Sequence, residues 1–264
     1  MTSIYLYATI AALAAWGSTA LGAATIFLFK EMNQKVLDSM LGFAAGVMIA
    51  ASFFSLIIPA LDYAKEFNPN INEMVVVAGG FLAGAGFLLL IDVLTPHLHM
   101  FEEKAEGPKT KLNRTSLLML AITIHNIPEG LAVGVAFGAY NVTGNPVLLS
   151  SAIALAAGIA IQNFPEGAAV SFPMYRDGMS KKKSFFLGQA SALVEPVGIA
   201  VGVILVHFVQ PILPFALAFA AGAMMFVVIE ELIPESQKNQ NTNLATIFTI
   251  VGLVVMMVLD VLLG

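Results

Sequence analysis

The sequence predicts an all-α membrane protein: eight transmembrane helices in one bundle over residues 1–264, forming a single domain with both termini outside. Three observations carry this. Hydrophobic residues fill 58% of the 264 positions and charged residues only 11%, whereas a soluble domain averages about 25% charged. The apolar residues fall in runs of roughly 20 or more, the length needed to cross a bilayer. The basic residues segregate to alternate connections between those runs.

The spans follow in order, each ending where polar or charged residues cluster. Span 1 covers about 4–29, with no charge before Lys30. Its start lacks the basic flank of a cleaved leader, so it is expected to be retained. Span 2 covers about 37–61 and stops before Asp62, Lys65 and Glu66; span 3 covers about 74–98. Span 4 covers about 115–140 and ends at NVTGNP, a turn signal. Span 5 covers about 147–173, and span 6 about 184–207. HFVQP sets off span 7, about 211–234, and span 8 covers about 243–262.

Eleven of the 12 Lys and Arg residues lie in the connections after spans 1, 3, 5 and 7, and Lys65 alone lies on the other side. The basic side is expected to face the cytoplasm. There is no cysteine, which excludes disulfides and thiolate ligands. No basic, aromatic-laced patch points to nucleic acid.

Four charged side chains lie well inside the spans: Asp92, Glu129, Glu166 and Glu195. All are acids, and no Lys or Arg lies deep in any span. An ionisable group inside a membrane costs at least a few kcal/mol, more without a partner. Either the acids are protonated or cations from outside neutralise them, and both options point to a cation pathway. One buried Glu could be neutral, hydrogen-bonded helix glue; four together fit that reading poorly.

Two of the acids sit in a duplicated motif, HNIPEG at 125–130 and QNFPEG at 162–167. In a helix, His125 and Glu129 are i, i+4 and share a face, and Asn126 and Glu129 are i, i+3. Gln162, Asn163 and Glu166 repeat those relations. Each proline removes a helical N–H, so the carbonyls of Ile124 and Ile161 lose their usual partners. Such backbone is tolerated in a membrane mainly where neighbours, water or a cavity satisfy it. The following glycine permits close approach. Imidazole plus carboxylate suits zinc and other first-row divalent metals. Glu195, also followed by proline, adds a third carboxylate. Several carboxylates match a divalent ion better than a monovalent one.

Further candidates are weaker. Met48, i, i+4 to Ser52 in span 2, would be a soft ligand, although packing is the default for methionine. Asp92, Glu230 and Glu231 lie nearer the cytoplasmic ends of spans 3 and 7, with His97, His99, Glu102, Glu103 and Glu106 beyond. They read as an exit ladder or as a solvated face. Asp62 and Asp260 end spans 2 and 8 on the outer side, as an entrance or as end caps. His207 reads as interfacial.

Two other functions are open to a chain of this kind. An intramembrane metalloenzyme would use a glutamate as base on a metal-bound water. HExxH is absent, however, and only one histidine lies at membrane depth, where a catalytic zinc normally has three protein ligands. A proton or monovalent-cation carrier would use the acids as a relay and would not bind divalent metal.

The paired motifs on adjacent spans, with GFAAGVMIAASFFSLIIPAL in span 2, LLLIDVLTPHLH in span 3, SALVEPVG in span 6 and IEELIPES in span 7, resemble the ZIP (ZRT/IRT-like protein) metal transporters, especially their prokaryotic GufA-like branch. The resemblance covers nearly the whole chain. It implies uptake of divalent metal, chiefly Zn2+ and also Cd2+, Fe2+ or Mn2+, into the cytoplasm across a bacterial plasma (inner) membrane, with no organic cofactor. It implies a metal site between spans 4 and 5: Met48, His125, Glu129, Gln162 and Glu166 as the primary position, and Asn126, Glu129, Asn163, Glu166 and Glu195 as a second. Asp92, His97, Glu230 and Glu231 match the inner release path, and Asp62 and Asp260 the outer mouth. Spans 1–3 and 6–8 are implied to be inverted repeats around spans 4 and 5, and homodimers are common. This chain departs from many relatives in having Gln162 for histidine and Glu230 for histidine, and from some prokaryotic ones in having Asn163 for aspartate.

Overall fold

A computed structural model describes residues 2–29, 31–98, 104–112, 114–208 and 210–263. Among these residues, eight helices are long and apolar enough to cross a membrane. They are α1 Ile4–Leu28, α2 Gln34–Phe67, α3 Glu73–Leu94, α4 Thr115–Thr143, α5 Pro146–Arg176, α6 Lys181–Phe208, α7 Leu213–Gln237 and α8 Thr242–Leu262. No strand occurs among the described residues; His97 and Glu106 form an isolated antiparallel bridge.

Local chemistry sets the helix ends. α2, α3 and α5 begin on asparagines, whose side chains accept from the N–H of Lys35, Met74 and Val147. Each satisfies a donor that the first turn leaves free. Span 3 was expected to run to 98, but α3 stops at Leu94. Thr95 precedes Pro96 and is extended, at φ −108 and ψ 127, as a following proline favours.

Span 2 was expected to end near 61, but α2 runs on to Phe67 through Pro59. Pro59 has no N–H to offer, and the chain absorbs the defect in a π turn over Ser52–Ile57. α7 does the same with a π turn over Val228–Leu232 just before Pro234. α6 contains a short 3₁₀ turn, Ser191–Leu193, just ahead of Glu195 and Pro196.

The closest helix pairs are α1 with α5, α4 with α6, α2 with α8, and α3 with α7. Exchanging α1 with α6, α2 with α7, α3 with α8 and α4 with α5 maps this set of pairs onto itself. The same exchange is written in the residues. LGFAAGVM at 41–48 of α2 matches LAFAAGAM at 217–224 of α7, and IDVL at 91–94 of α3 matches LDVL at 259–262 of α8. Even single contacts have counterparts. A Cβ on Gly46 would collide with the Thr249 carbonyl, and one on Gly222 with the Phe81 carbonyl. The 125/162 duplication is therefore part of a larger repeat.

Two groups of four helices result. α1, α4, α5 and α6 carry the duplicated motifs and Glu195; α2, α3, α7 and α8 flank them. The start of α2 is tied to the connection before α8 by Asp38. Its fully buried carboxylate accepts from Gln34 Nε2 at 2.8 Å, Asn239 Nδ2 at 3.0 Å and Asn241 Nδ2 at 2.9 Å.

The helix contacts predict paired effects. Gly46→Ala and Gly222→Ala should each destabilise the protein by about 1–3 kcal/mol, the usual cost of overpacking. Gly79→Ala, where a Cβ meets nothing within 4 Å, should not. Thermal unfolding in detergent measures this, and equal midpoints for all three variants would contradict the packing described.

Candidate metal centre

α4 and α5 run unbroken through Pro128 and Pro165. Two residues later the glycines draw their partners in: a Cβ on Gly130 would meet the Glu195 carbonyl of α6, and one on Gly167 would collide with the Thr19 carbonyl of α1. This close packing brings α6 against α4 and α1 against α5 beside the motif side chains.

His125, Glu129 and Glu166 converge in that space. His125 Nε2 lies 3.6 Å from Glu129 Oε1 and 3.4 Å from Glu166 Oε1. One ligand atom from each of the three falls within 4.8 Å of the others. Exposure is 4% for His125, 0% for Glu129 and 6% for Glu166. Neither carboxylate oxygen of Glu129 or Glu166 has a hydrogen-bond partner, nor does His125 Nε2. Buried polar atoms left unpaired require an explanation, and an ion is one of the few available. The other ring nitrogen, His125 Nδ1, lies 3.1 Å from Glu231 Oε2 on α7.

The remaining motif residues form a chain beside this cluster. Gln162 Nε2 donates to Asn163 Oδ1 at 2.7 Å. Asn163 Nδ2 donates to both oxygens of Glu195, at 2.9 and 2.8 Å, and approaches the Ala15 carbonyl at 3.3 Å. Gln162 Oε1 is buried without a partner, as are both amide atoms of Asn126. Met48 is fully buried, and its carbonyl accepts from Ser52 Oγ at 2.8 Å.

A cavity of about 30 Å³ touches the cluster, room enough for a water or an ion. Its lining runs from His125 and Glu166 past Glu231 to Leu98, Leu118 and Glu235, where α3 stops, α4 begins and α7 ends. At that end His97 Nε2 lies 2.9 Å from Asp92 Oδ1. Asp92, His97 and Glu106 form a second group with ligand atoms within 4.8 Å. Glu230 is half-buried in the π turn of α7. His99, Glu102 and Glu103 lie outside the described residues.

At the opposite end, Asp62, Glu66 and Asp260 line a cavity of about 590 Å³, and no residue of the central cluster lines it. Asp260 accepts from Ser55 Oγ at 2.7 Å. His207 is exposed and lies against Asn141 Nδ2 at 3.2 Å. Asp38, the approach of Glu231 to His125, and Ser55 are absent from the sequence reading. The match of 41–48 to 217–224, carried forward, sets Ser55 opposite Glu231.

The family described as ZIP Zinc transporter matches residues 102–260. The chain is 40% identical to zinc transporter ZIP11 of Xenopus tropicalis over 98% of this chain and 98% of that protein. It is 39% identical to zinc transporter ZIPB of Bordetella bronchiseptica over 98% of this chain and 82% of that protein. It is 36% identical to zinc transporter GufA of Myxococcus xanthus over 97% and 98%.

Proposed function

The chain belongs to the ZIP zinc transporter family, and from that premise we propose that it moves Zn2+ into the cytoplasm through the cluster of His125, Glu129 and Glu166. It is an integral membrane transporter of divalent metal and not an enzyme. The observation that carries the site assignment is the set of buried, unpaired carboxylate oxygens around one imidazole. Nitrogen and oxygen donors at this spacing suit zinc. Gln162, with a buried oxygen that has no partner, and the fully buried Met48 are the further donors this reading assigns to the ion.

The direction rests on charge. The connections that hold eleven of the 12 basic residues lie at the end where the cavity reaches His125, and basic connections face the cytoplasm. The small cavity at the site then lies toward the inside, and Asp62 and Asp260 form the outer mouth. Asp92 and His97 receive the ion on the inner side.

The second position does not hold a metal of its own in this reading. Asn163 brings an amide donor where a ligand would have to stand, and that donor already occupies both oxygens of Glu195. One ion is carried at the centre.

Two measurements check these statements. In liposomes with a zinc indicator inside, Glu129→Ala should slow filling roughly tenfold or more, since removing a charged ligand exceeds the ~1.4 kcal/mol that a factor of ten requires. Equal flux for wild type and variant would contradict the site. By elemental analysis, Glu195→Gln should bind as much zinc as wild type, while Asn163→Asp should bind about one ion more. A loss of one ion in Glu195→Gln would show that a second metal is native.

A further inference from the structure

The imidazole of His125 is held from both sides. Nε2 faces Glu129 and Glu166, at 3.6 and 3.4 Å, and Nδ1 faces Glu231 at 3.1 Å. Nδ1 and Nε2 cannot serve the same ion, so an ion among Glu129, Glu166 and Nε2 leaves Nδ1 to carry the proton. A carboxylate on that proton fixes the tautomer, sets the ring plane and strengthens the metal-binding nitrogen.

Glu231 stands on an irregular stretch of α7. Glu231 lies in the π turn Val228–Leu232, ahead of Pro234. A π turn adds a residue to the helical register and re-aims the side chains on it. Glu231 reaches His125 from the other helix group: all three cluster residues lie on α4 and α5, and α7 pairs with α3. The counterpart on α2, Ser55, donates to Asp260, and the counterpart of His125 is Gln162. The repeat therefore supplies a carboxylate behind the imidazole on one side only.

We propose that Glu231 is a positioning residue of the metal site, which holds His125 Nδ1–H so that Nε2 is presented to the ion, and through which α7 sets the affinity of a cluster built on α4 and α5. This rests on the reading of that cluster as the metal site. It assigns Glu231 a task different from that of a carboxylate on the release path, which would alter the rate of escape and leave affinity unchanged.

The experiment uses the purified full chain in detergent, with Zn2+ affinity measured by competition against a chelating indicator and cobalt absorption as a report on the ligand set. Glu231→Ala should weaken zinc binding about 10–100-fold, the usual effect of removing a carboxylate behind a metal-bound histidine, and should shift the cobalt d–d bands. Glu231→Gln, which keeps an oxygen acceptor for Nδ1–H, should recover most of the affinity. Unchanged or tighter binding in Glu231→Ala overturns the proposal. The wild-type protein gives a check that needs no variant to fold: 15N spectra of its histidines, with His125 assigned, should show Nδ1 protonated and Nε2 on zinc, and metal on Nδ1 overturns the proposal. If wild type binds no zinc, the metal-site reading falls and the proposal with it; if wild type binds and Glu231→Ala binds equally, only the proposal falls.

Discussion

Glu129, Glu166 and Glu195 lie in the middle of a bundle whose spans hold no deep lysine or arginine. A carboxylate taken out of water needs a compensating charge or a full set of donors. Glu195 obtains donors from Asn163. Glu129 and Glu166 have neither, apart from one shared imidazole. The surrounding helices pack backbone to backbone at glycines such as Gly46, Gly130, Gly167 and Gly222. A site that no side chain of the protein completes is one that a cation from outside can complete, and a membrane protein that offers such a site midway through its bundle is built to carry that cation.

The inverted arrangement explains why the two ends of the molecule look alike, and its departures explain why they act differently. Asp92 and Asp260 occupy matching places near the ends of α3 and α8. The residues between them are not matched. His125 stands against Gln162, Glu231 against Ser55, and Glu195 against Thr19, whose carbonyl packs on Gly167 as that of Glu195 packs on Gly130. Each difference places the charge or the basic nitrogen on the α4, α6 and α7 side. Of these residues, His125 and Glu231 line the small cavity. A symmetric scaffold with asymmetric side chains gives the ion a different environment in each direction.

Much of this was legible from residue order, and what was missed has physical causes. The eight spans follow from local hydropathy, and the partnership of His125 with Glu129 follows from helix periodicity alone. The end of α3 at Leu94 was readable from Pro96. The continuation of α2 past Pro59 was not, because a π turn can rescue a proline that would otherwise stop a helix. Contacts between distant segments leave no local trace: Glu231 reaches His125 across 106 positions, and Asn163 reaches Glu195 across 32. Asp38 looked like an ordinary residue at the start of a span, since two of its three amides come from 239 and 241. The repeat was visible in LGFAAGVM and LAFAAGAM, but the matched stretches are 176 positions apart and surrounded by diverged sequence.

The most direct test of the central claim is anomalous diffraction at the zinc edge from crystals of the protein grown with Zn2+. The account predicts a strong peak between α4 and α5, about 2.0–2.1 Å from His125 Nε2 and in contact with oxygens of Glu129 and Glu166. No second peak should appear between Asn163 and Glu195. Zinc found only at Asp62 and Asp260 or at the Asp92 and His97 end, with the His125 cluster empty, would contradict it.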